Sequence, residues 1–166
     1  MSYFSSLSYR YSNIYIVKEN EFVKRIFLND DSFLSFYEKN NPKRNDLILK
    51  DEVMQLTEYI DGKRKKFDIH YELLGTEFQK IVWEKILGIG YSEVKRYSDI
   101  AKEIKRPLAA RAVGNVCRKN ALPIIVPCHR VVSTKGLGGF FGQDTEFSKI
   151  KSYLINLERT SSGSPF

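Results

Sequence analysis

The chain has 166 residues, 42% of them hydrophobic and 13% aromatic, with 27 Lys and Arg against 20 Asp and Glu. This composition excludes a disordered chain, and the length suits one ordinary domain or two small ones with a genuine core. No apolar run reaches the roughly 18–20 residues that span a bilayer, residues 1–10 lack the apolar stretch of an export signal, and Cys117 and Cys128 are too few for a disulfide framework.

The formal charge of +7 is unevenly placed. Residues 1–70 carry 12 basic and 11 acidic side chains, whereas residues 95–130 carry nine basic side chains with only Asp99 and Glu103 as acids. A basic block of this kind is the electrostatic footprint of a phosphate-rich partner. The second basic run, residues 63–66, follows Asp61-Gly62 and reads as a solvated turn.

Taken in chain order, the first 30 residues read as short strands, with residues 14–17 and 22–28 rich in aromatic and β-branched side chains. Residues 39–46 are polar, contain Pro42 and read as a loop. Asp46 is placed to cap a helix over residues 47–60, with Leu49, Val53, Leu56 and Ile60 at helical spacing and Asp61-Gly62 as its stop. A domain boundary falls near residues 71–75, giving domains over residues 1–72 and 73–160 and a tail over 161–166.

Thr76-Glu77-Phe78-Gln79 has the form of a capping box, and the helix it starts is predicted to bury Phe78, Ile81, Val82 and Ile86 before Gly88 and Gly90 stop it. A short helix over residues 97–104 follows, with Ile100, Ala101 and Ile104 on one face. After a break at Lys105-Arg106, Pro107 suits the first turn of a helix running to about Lys119. Two short basic helices joined by a tight turn suggest a helix-turn-helix. Residues 122–126 form an apolar run read as a strand, Val131-Val132 leads into a glycine-rich hairpin, and Asp144 or Thr145 caps a last helix to about Arg159 whose buried stripe is Phe147, Ile150, Leu154 and Leu157.

The chemistry concentrates at Pro127-Cys128-His129-Arg130, where an apolar run ends in a thiol beside an imidazole and a guanidinium. Positive neighbours favour the thiolate, the reactive form of cysteine. On extended backbone, Cys128 and His129 would point to opposite faces, so a direct pair would need a sharp turn and an indirect one a bridging water. Cys117, Cys128, His70 and His129 lack zinc-type spacing, so no metal site is expected.

Pro127-Cys128-His129-Arg130-Val131 resembles the active-site motif of the O6-alkylguanine-DNA alkyltransferases. Arg111-Ala112-Val113-Gly114, which begins 17 residues before Cys128, is similar to that family's recognition-helix segment. Tyr97, Asn120, residues 75–79 with Val82-Trp83, Gly136-Leu137-Gly138-Gly139 and Leu157-Glu158 fall in the family register, so the resemblance covers residues 56–158. It implies an α/β (α+β) fold, with a small ribonuclease-H-like N-terminal domain of one sheet and one helix and a winged-helix-like C-terminal domain.

It also implies single-turnover DNA repair of O6-alkylguanine, extending in principle to O4-alkylthymine, with Cys128 as alkyl acceptor. His129 would generate the thiolate through a water and Glu158 would orient His129. Asn120 would hold the active-site turn. Tyr97 would press on a flanking phosphate and contact the flipped base, and Arg111 would fill the vacated space from a helix lying in the minor groove. Ala112, Gly114, Arg118 and Arg130 complete the implied DNA-binding set. Tyr97, Val131, Phe140, Phe141 and Cys117 line the implied pocket, where the carbonyls of Cys128 and Val131 would accept from the guanine amino group. The thioether product has no expected route off Cys128, since the sequence suggests no second thiol beside it.

No cofactor is expected. The implied partner is double-stranded DNA carrying O6-alkylguanine, with no membrane association, and the protein would act as a monomer in the cytoplasm, or in the nucleus of a eukaryote. The sequence departs from the family wording at Phe140-Phe141, which replace a usual Tyr-Ser, at Ser92, which replaces a Gly, and at Ala121, which replaces a Pro. Two other classes fit parts of the pattern. A non-catalytic lesion-sensing or regulatory winged-helix protein explains the basic helices but not Cys128, and a cysteine hydrolase explains Cys128 but not the basic helices.

Overall fold

A computed structural model describes residues 1–136 and 145–163, which separate into two compact units, Met1–Leu73 and Leu74–Phe166. The expected hairpin tip over residues 137–144 lies outside the described residues. So do Phe140, Phe141 and the side chains of Asp144 and Thr145.

In the first unit, β1 (Ser2–Ser8), β2 (Asn13–Glu19) and β3 (Phe22–Phe27) form an antiparallel meander. Asn20 turns the chain between β2 and β3 at φ 53, a left-handed conformation that asparagine tolerates. The residues expected to form a loop include a two-residue strand, β4 (Lys43–Arg44), which pairs parallel to β1 and gives the sheet order β3-β2-β1-β4.

This unit has two helices rather than the single one expected. Helix α1 (Asp30–Asn40) escaped the sequence reading although its signals are present. The Asn29 side chain accepts a hydrogen bond from the Ser32 amide at 2.8 Å, acids fill the first turn, and Asn41 closes the helix in the left-handed region. Phe33 of α1 stacks on Tyr15 at 3.9 Å and joins Phe4 and Val17 in an aromatic core.

Helix α2 (Lys50–Ile60) starts three residues later than expected, and Asp46 does not cap it. Asp46 lies too far upstream to reach the first free amides. It accepts a hydrogen bond from the Ser5 hydroxyl at 2.6 Å, while Asn45 accepts from the Ile48 amide. Leu49, Leu56 and Tyr59 are fully buried, and Gly62 turns the chain away at φ 72. In the following basic run Lys63, Lys65 and Lys66 are exposed and Arg64 pairs with Glu58, as befits a solvated turn.

The second unit opens with α3 (Glu77–Leu87), whose N-terminus carries the capping box in both directions between Thr76 and Gln79. Its buried face is Val82, Trp83 and Ile86, whereas Ile81, expected inside, is 37% exposed. The Trp83 indole donates to the Val116 carbonyl, which ties α3 to α5 (Ala110–Arg118). Strand β5 (Lys95–Arg96) runs directly into α4 (Tyr97–Glu103) and pairs parallel to β6 (Val131–Val132).

Lys105, at φ 60, reverses the chain after α4, and α5 completes a helix-turn-helix. Pro107 is not in the first turn of α5: it lies in the connecting turn, three residues ahead of the helix. Helix α6 (Thr145–Ser162) continues three residues past Arg159, so the expected tail begins in helix. Its buried side chains include Ile150, Leu154 and Ile155, with Leu157 only half-buried.

Gly75 lies against the Trp83 ring, where an added Cβ would sit 2.7 Å from a buried ring carbon and 2.6 Å from the Gln79 amide oxygen. Gln79 can shift but the indole, only 3% exposed, cannot. Gly75→Ala is expected to lower unfolding free energy by about 1–3 kcal/mol, read as a lower urea midpoint with unchanged m-value.

Candidate active site

The apolar run before Cys128 is not a strand. Pro123 and Pro127 deny it the donors of a sheet ladder, and residues 122–126 fold into a buried turn. Ile124 adopts φ 75 and the Val126 amide donates to the Leu122 carbonyl at 2.8 Å. Cys128–Arg130 then form one turn of 3-10 helix. The alternation expected of extended backbone therefore does not apply to Cys128 and His129.

Asn120 holds this turn from beneath. Its amide nitrogen donates to the Val126 carbonyl at 2.8 Å and to Cys128 Sγ at 3.2 Å, and its side-chain oxygen accepts from the Leu122 amide. Cys128 is 6% exposed. Burial pushes its thiol up, as does contact with the Cys117 thiol, while Asn120 and the Lys151 charge work the other way. Cys117, in the last turn of α5, is 4% exposed.

His129 Nε2 lies 2.6 Å from Glu158 Oε1, with both side chains buried. Burial lowers the imidazole below its ordinary 6.5 and outweighs the pull of Glu158. Burial opposes the Glu158 carboxylate, but His129 and Arg130 together hold its carboxyl down at about 2. A neutral imidazole facing an ionised carboxylate carries its proton on Nε2, which leaves Nδ1 as the basic nitrogen.

Arg130 does not face outward to DNA. It is 7% exposed, its Nε and Nη2 donate to Glu158, and its Nη1 donates to the Ile89 carbonyl at 2.7 Å. A guanidinium buried among acceptors that match its geometry stays there, so its expected DNA-binding role is withdrawn. The Ser92 amide completes the Glu158 cradle at 3.0 Å.

Tyr97 is 4% exposed and its hydroxyl accepts from Lys151 Nζ at 3.1 Å. Lys151 Nζ also donates to the Val131 carbonyl at 2.6 Å. The carbonyls proposed for the guanine amino group thus each hold one donor already, Val131 from Lys151 and Cys128 from the Val131 amide. Burial brings Lys151 down to about 8, with the nearby thiols opposing that shift. Sequence reasoning missed Lys151. The signal was its spacing: Lys151 and Glu158 sit seven residues apart on the same buried stripe as Ile150, Leu154 and Ile155, where charge is uncommon.

Arg111, Arg118 and Lys119 are exposed along α5, while Ala112 is half-buried and Gly114 buried. Among the described residues no group of three or more His, Cys, Asp or Glu side chains could hold a metal ion. No helix among them is long and apolar enough to cross a membrane. The second unit thus combines a buried thiol held by an amide, a neutral imidazole polarised by a carboxylate, and a cationic helix-turn-helix.

The family model for the 6-O-methylguanine DNA methyltransferase DNA-binding domain matches residues 77–160. The constitutive methylated-DNA–protein-cysteine methyltransferase of Bacillus subtilis is 36% identical over 164 residues, covering 97% of this chain and 98% of that protein. The chain belongs to the methylated-DNA–protein-cysteine methyltransferase family. The relative from Methanosarcina acetivorans is 42% identical over 116 residues, 69% of this chain and 71% of that protein. Among solved structures, the Mycobacterium tuberculosis O6-methylguanine methyltransferase superposes with a TM-score of 0.84 at 27% identity, covering 99% of this chain and 97% of that one. The Mycobacterium tuberculosis OGT complex with DNA gives 0.80 at 29% identity over 96% and 94%. The α+β fold of this methyltransferase is that of its structural relatives.

Ser92 stands out within the methyltransferase site because it adopts φ 64 while its amide binds Glu158. Left-handed backbone costs a non-glycine residue about 1–2 kcal/mol, so Ser92→Gly should raise unfolding free energy by about 1 kcal/mol. A higher urea midpoint with alkyl-transfer rate retained is the expected result.

Proposed function

We propose that this methyltransferase repairs O6-alkylguanine in duplex DNA by moving the alkyl group to Cys128 Sγ, one lesion per protein molecule. The observation that carries this reading is the Cys128 thiol held by Asn120 within the same 3-10 turn as His129, whose imidazole is fixed by Glu158. The thiol proton passes through a water to His129 Nδ1, and Glu158 steadies the imidazolium that forms. The thiolate attacks the alkyl carbon in line, the carbon–oxygen bond breaks, and the electron pair leaves on the guanine oxygen. The product thioether is inert, so turnover ends there.

The target carbon is inaccessible inside a stacked duplex, so the nucleotide must rotate out. Exposed Arg111 on α5 fills the space it leaves, and Arg118 contributes to the phosphate grip. Tyr97 contacts the flipped base through the part of its ring that faces the site, with its hydroxyl anchored by Lys151. A relative's structure holds DNA, which supports a duplex partner here. We place the protein in the cytoplasm, or in the nucleus if the source is eukaryotic, acting as a monomer without a cofactor.

Duplex DNA carrying labelled O6-methylguanine should transfer close to one equivalent of label to the protein, and Cys128→Ala should transfer none. Binding without transfer by the unaltered protein would instead favour a lesion sensor. Arg111→Ala should lose at least about tenfold in rate on duplex DNA while reaction with free O6-benzylguanine stays within about twofold, because only the duplex needs a flipped base held out. Equal losses on both substrates would remove the finger role.

The single-turnover rate should rise with pH as His129 loses its proton. Its midpoint should fall below the ordinary imidazole value of 6.5, because burial depresses the protonated form. A midpoint above that value, measured on free O6-benzylguanine to avoid effects on DNA binding, would remove His129 as the base.

A further inference from the structure

Leu108 is 99% exposed, more than any other large apolar side chain among the described residues, with Leu47 next at 82%. It stands in the turn between α4 and α5, two residues ahead of α5. That turn is closely held. The Arg106 amide donates to the Ala101 carbonyl at 2.9 Å, and the Ala109 amide donates to the Arg106 carbonyl at 2.9 Å. The second bond makes Pro107 and Leu108 the two corner residues of a β-turn, and proline at the first corner stiffens it. The Arg106 guanidinium lies 5.3 Å from the centre of the Phe78 ring, which ties the turn to α3. A branched apolar side chain is thus presented to solvent from a rigid support.

Its surroundings are cationic. Lys102, Lys105 and Arg106 precede it, Arg111, Arg118 and Lys119 follow it, and all six are exposed. After Glu103, which pairs with Lys95, the sequence has no acid before Asp144. A second copy of the chain would bring the same positive charge to this tip, whereas a polyanion is complementary to it. Ala109 and Ala110, the residues between Leu108 and Arg111, have no side chain long enough to hold the turn away from a nucleic-acid backbone. Along a duplex backbone, the apolar surface between successive phosphates is the C–H face of the deoxyribose.

We infer that Leu108 is an apolar anchor on the deoxyribose of duplex DNA, seated beside the phosphates that the flanking cations neutralise. This role rests on the duplex partner proposed above. Every nucleotide carries the same sugar, so the contact adds affinity without sequence preference, as suits a protein whose lesion can lie in any sequence. It differs measurably from a phosphate contact, because it releases no counterion and its contribution does not fall as salt rises. Full burial of a leucine side chain is worth about one to two powers of ten in affinity, and truncation to alanine removes most of that.

Binding of the full-length protein to a short undamaged duplex is measured by fluorescence anisotropy over a range of potassium chloride concentrations. Leu108→Ala should weaken binding by at least about fivefold at every concentration, with the slope of log affinity against log salt unchanged. Arg118→Ala should instead make that slope shallower by about 0.9. Leu108→Met, which keeps an apolar side chain of similar volume, should stay within about twofold of the unaltered protein. The loss in Leu108→Ala should be equal on A·T-rich and G·C-rich duplexes. Its urea midpoint should match that of the unaltered protein, since a side chain this exposed loses little on unfolding, so the loss reports binding and not folding.

Equal affinity of Leu108→Ala and the unaltered protein overturns the proposal. So does a loss that follows base composition, which would mean a contact to base edges. A loss seen only on long duplexes, as reduced cooperativity, would make a second copy the occupant and overturns it as well. Duplex binding and alkyl transfer are read separately. Binding without transfer removes the repair reading and leaves the anchor standing, whereas transfer with Leu108→Ala binding as tightly as the unaltered protein removes the anchor alone.

Discussion

Donors from three residues in two parts of the second unit converge on one buried carboxylate. Glu158, 1% exposed on α6, accepts from His129 and Arg130 of the 3-10 turn and from the amide of Ser92 ahead of β5. An isolated carboxylate at this depth would be expelled or protonated. Here it stays ionised because each oxygen is satisfied, and removing one member of such a buried pair typically costs about 3–5 kcal/mol. The same contacts that fix the backbone of the turn also fix the tautomer of His129. Structural and chemical roles cannot be separated at this residue, which is why Ser92 tolerates a left-handed conformation to serve it.

The sulfur lies in a field of competing influences. Burial and the neighbouring Cys117 disfavour its thiolate, while Asn120 and the positive charge of Lys151 favour it. A resting thiol in these surroundings is mostly protonated. The Lys151 ammonium that favours the thiolate is itself held by the Tyr97 hydroxyl and the Val131 carbonyl. Helix α6 thus presents two charges of opposite sign, Lys151 and Glu158, two turns apart on its buried stripe.

Much of this was legible in the sequence because local chemistry and tertiary structure agree there. The capping box at Thr76 and Gln79, the helix-turn-helix over α4 and α5, and strands β2 and β3 each follow from nearby residues. The misreadings arise where distant contacts override local pattern. Residues 122–126 have the composition of a strand, but two prolines and an asparagine donating to the Val126 carbonyl fold them into a turn. Asp46 has the look of a cap, but Ser5, 41 residues away, claims its oxygen. Lys151 escapes the sequence reading and Arg130 reads as a DNA contact because their acceptors come from elements that no local window contains. Helix α1 is the exception, since its cap and apolar spacing were local and were passed over.

The basic block over residues 95–130 changes meaning once the side chains are placed. Arg130 is neutralised inside by Glu158, and Lys95 pairs with Glu103 at 2.5 Å. Arg106 lies over the Phe78 ring. The exposed remainder includes Lys102, Lys105, Arg111, Arg118 and Lys119, all carried by α4, α5 and the residues that border them. The charge available to phosphates is therefore narrower than the sequence sum, and it is gathered on the helix-turn-helix. Each phosphate neutralised contributes about −0.9 to the slope of log affinity against log salt, so the slope is set by these few cations and not by the formal +7. The buried cations serve a different end: Arg130 and Lys151 hold the thiol's surroundings in register, at a depth where salt screens little.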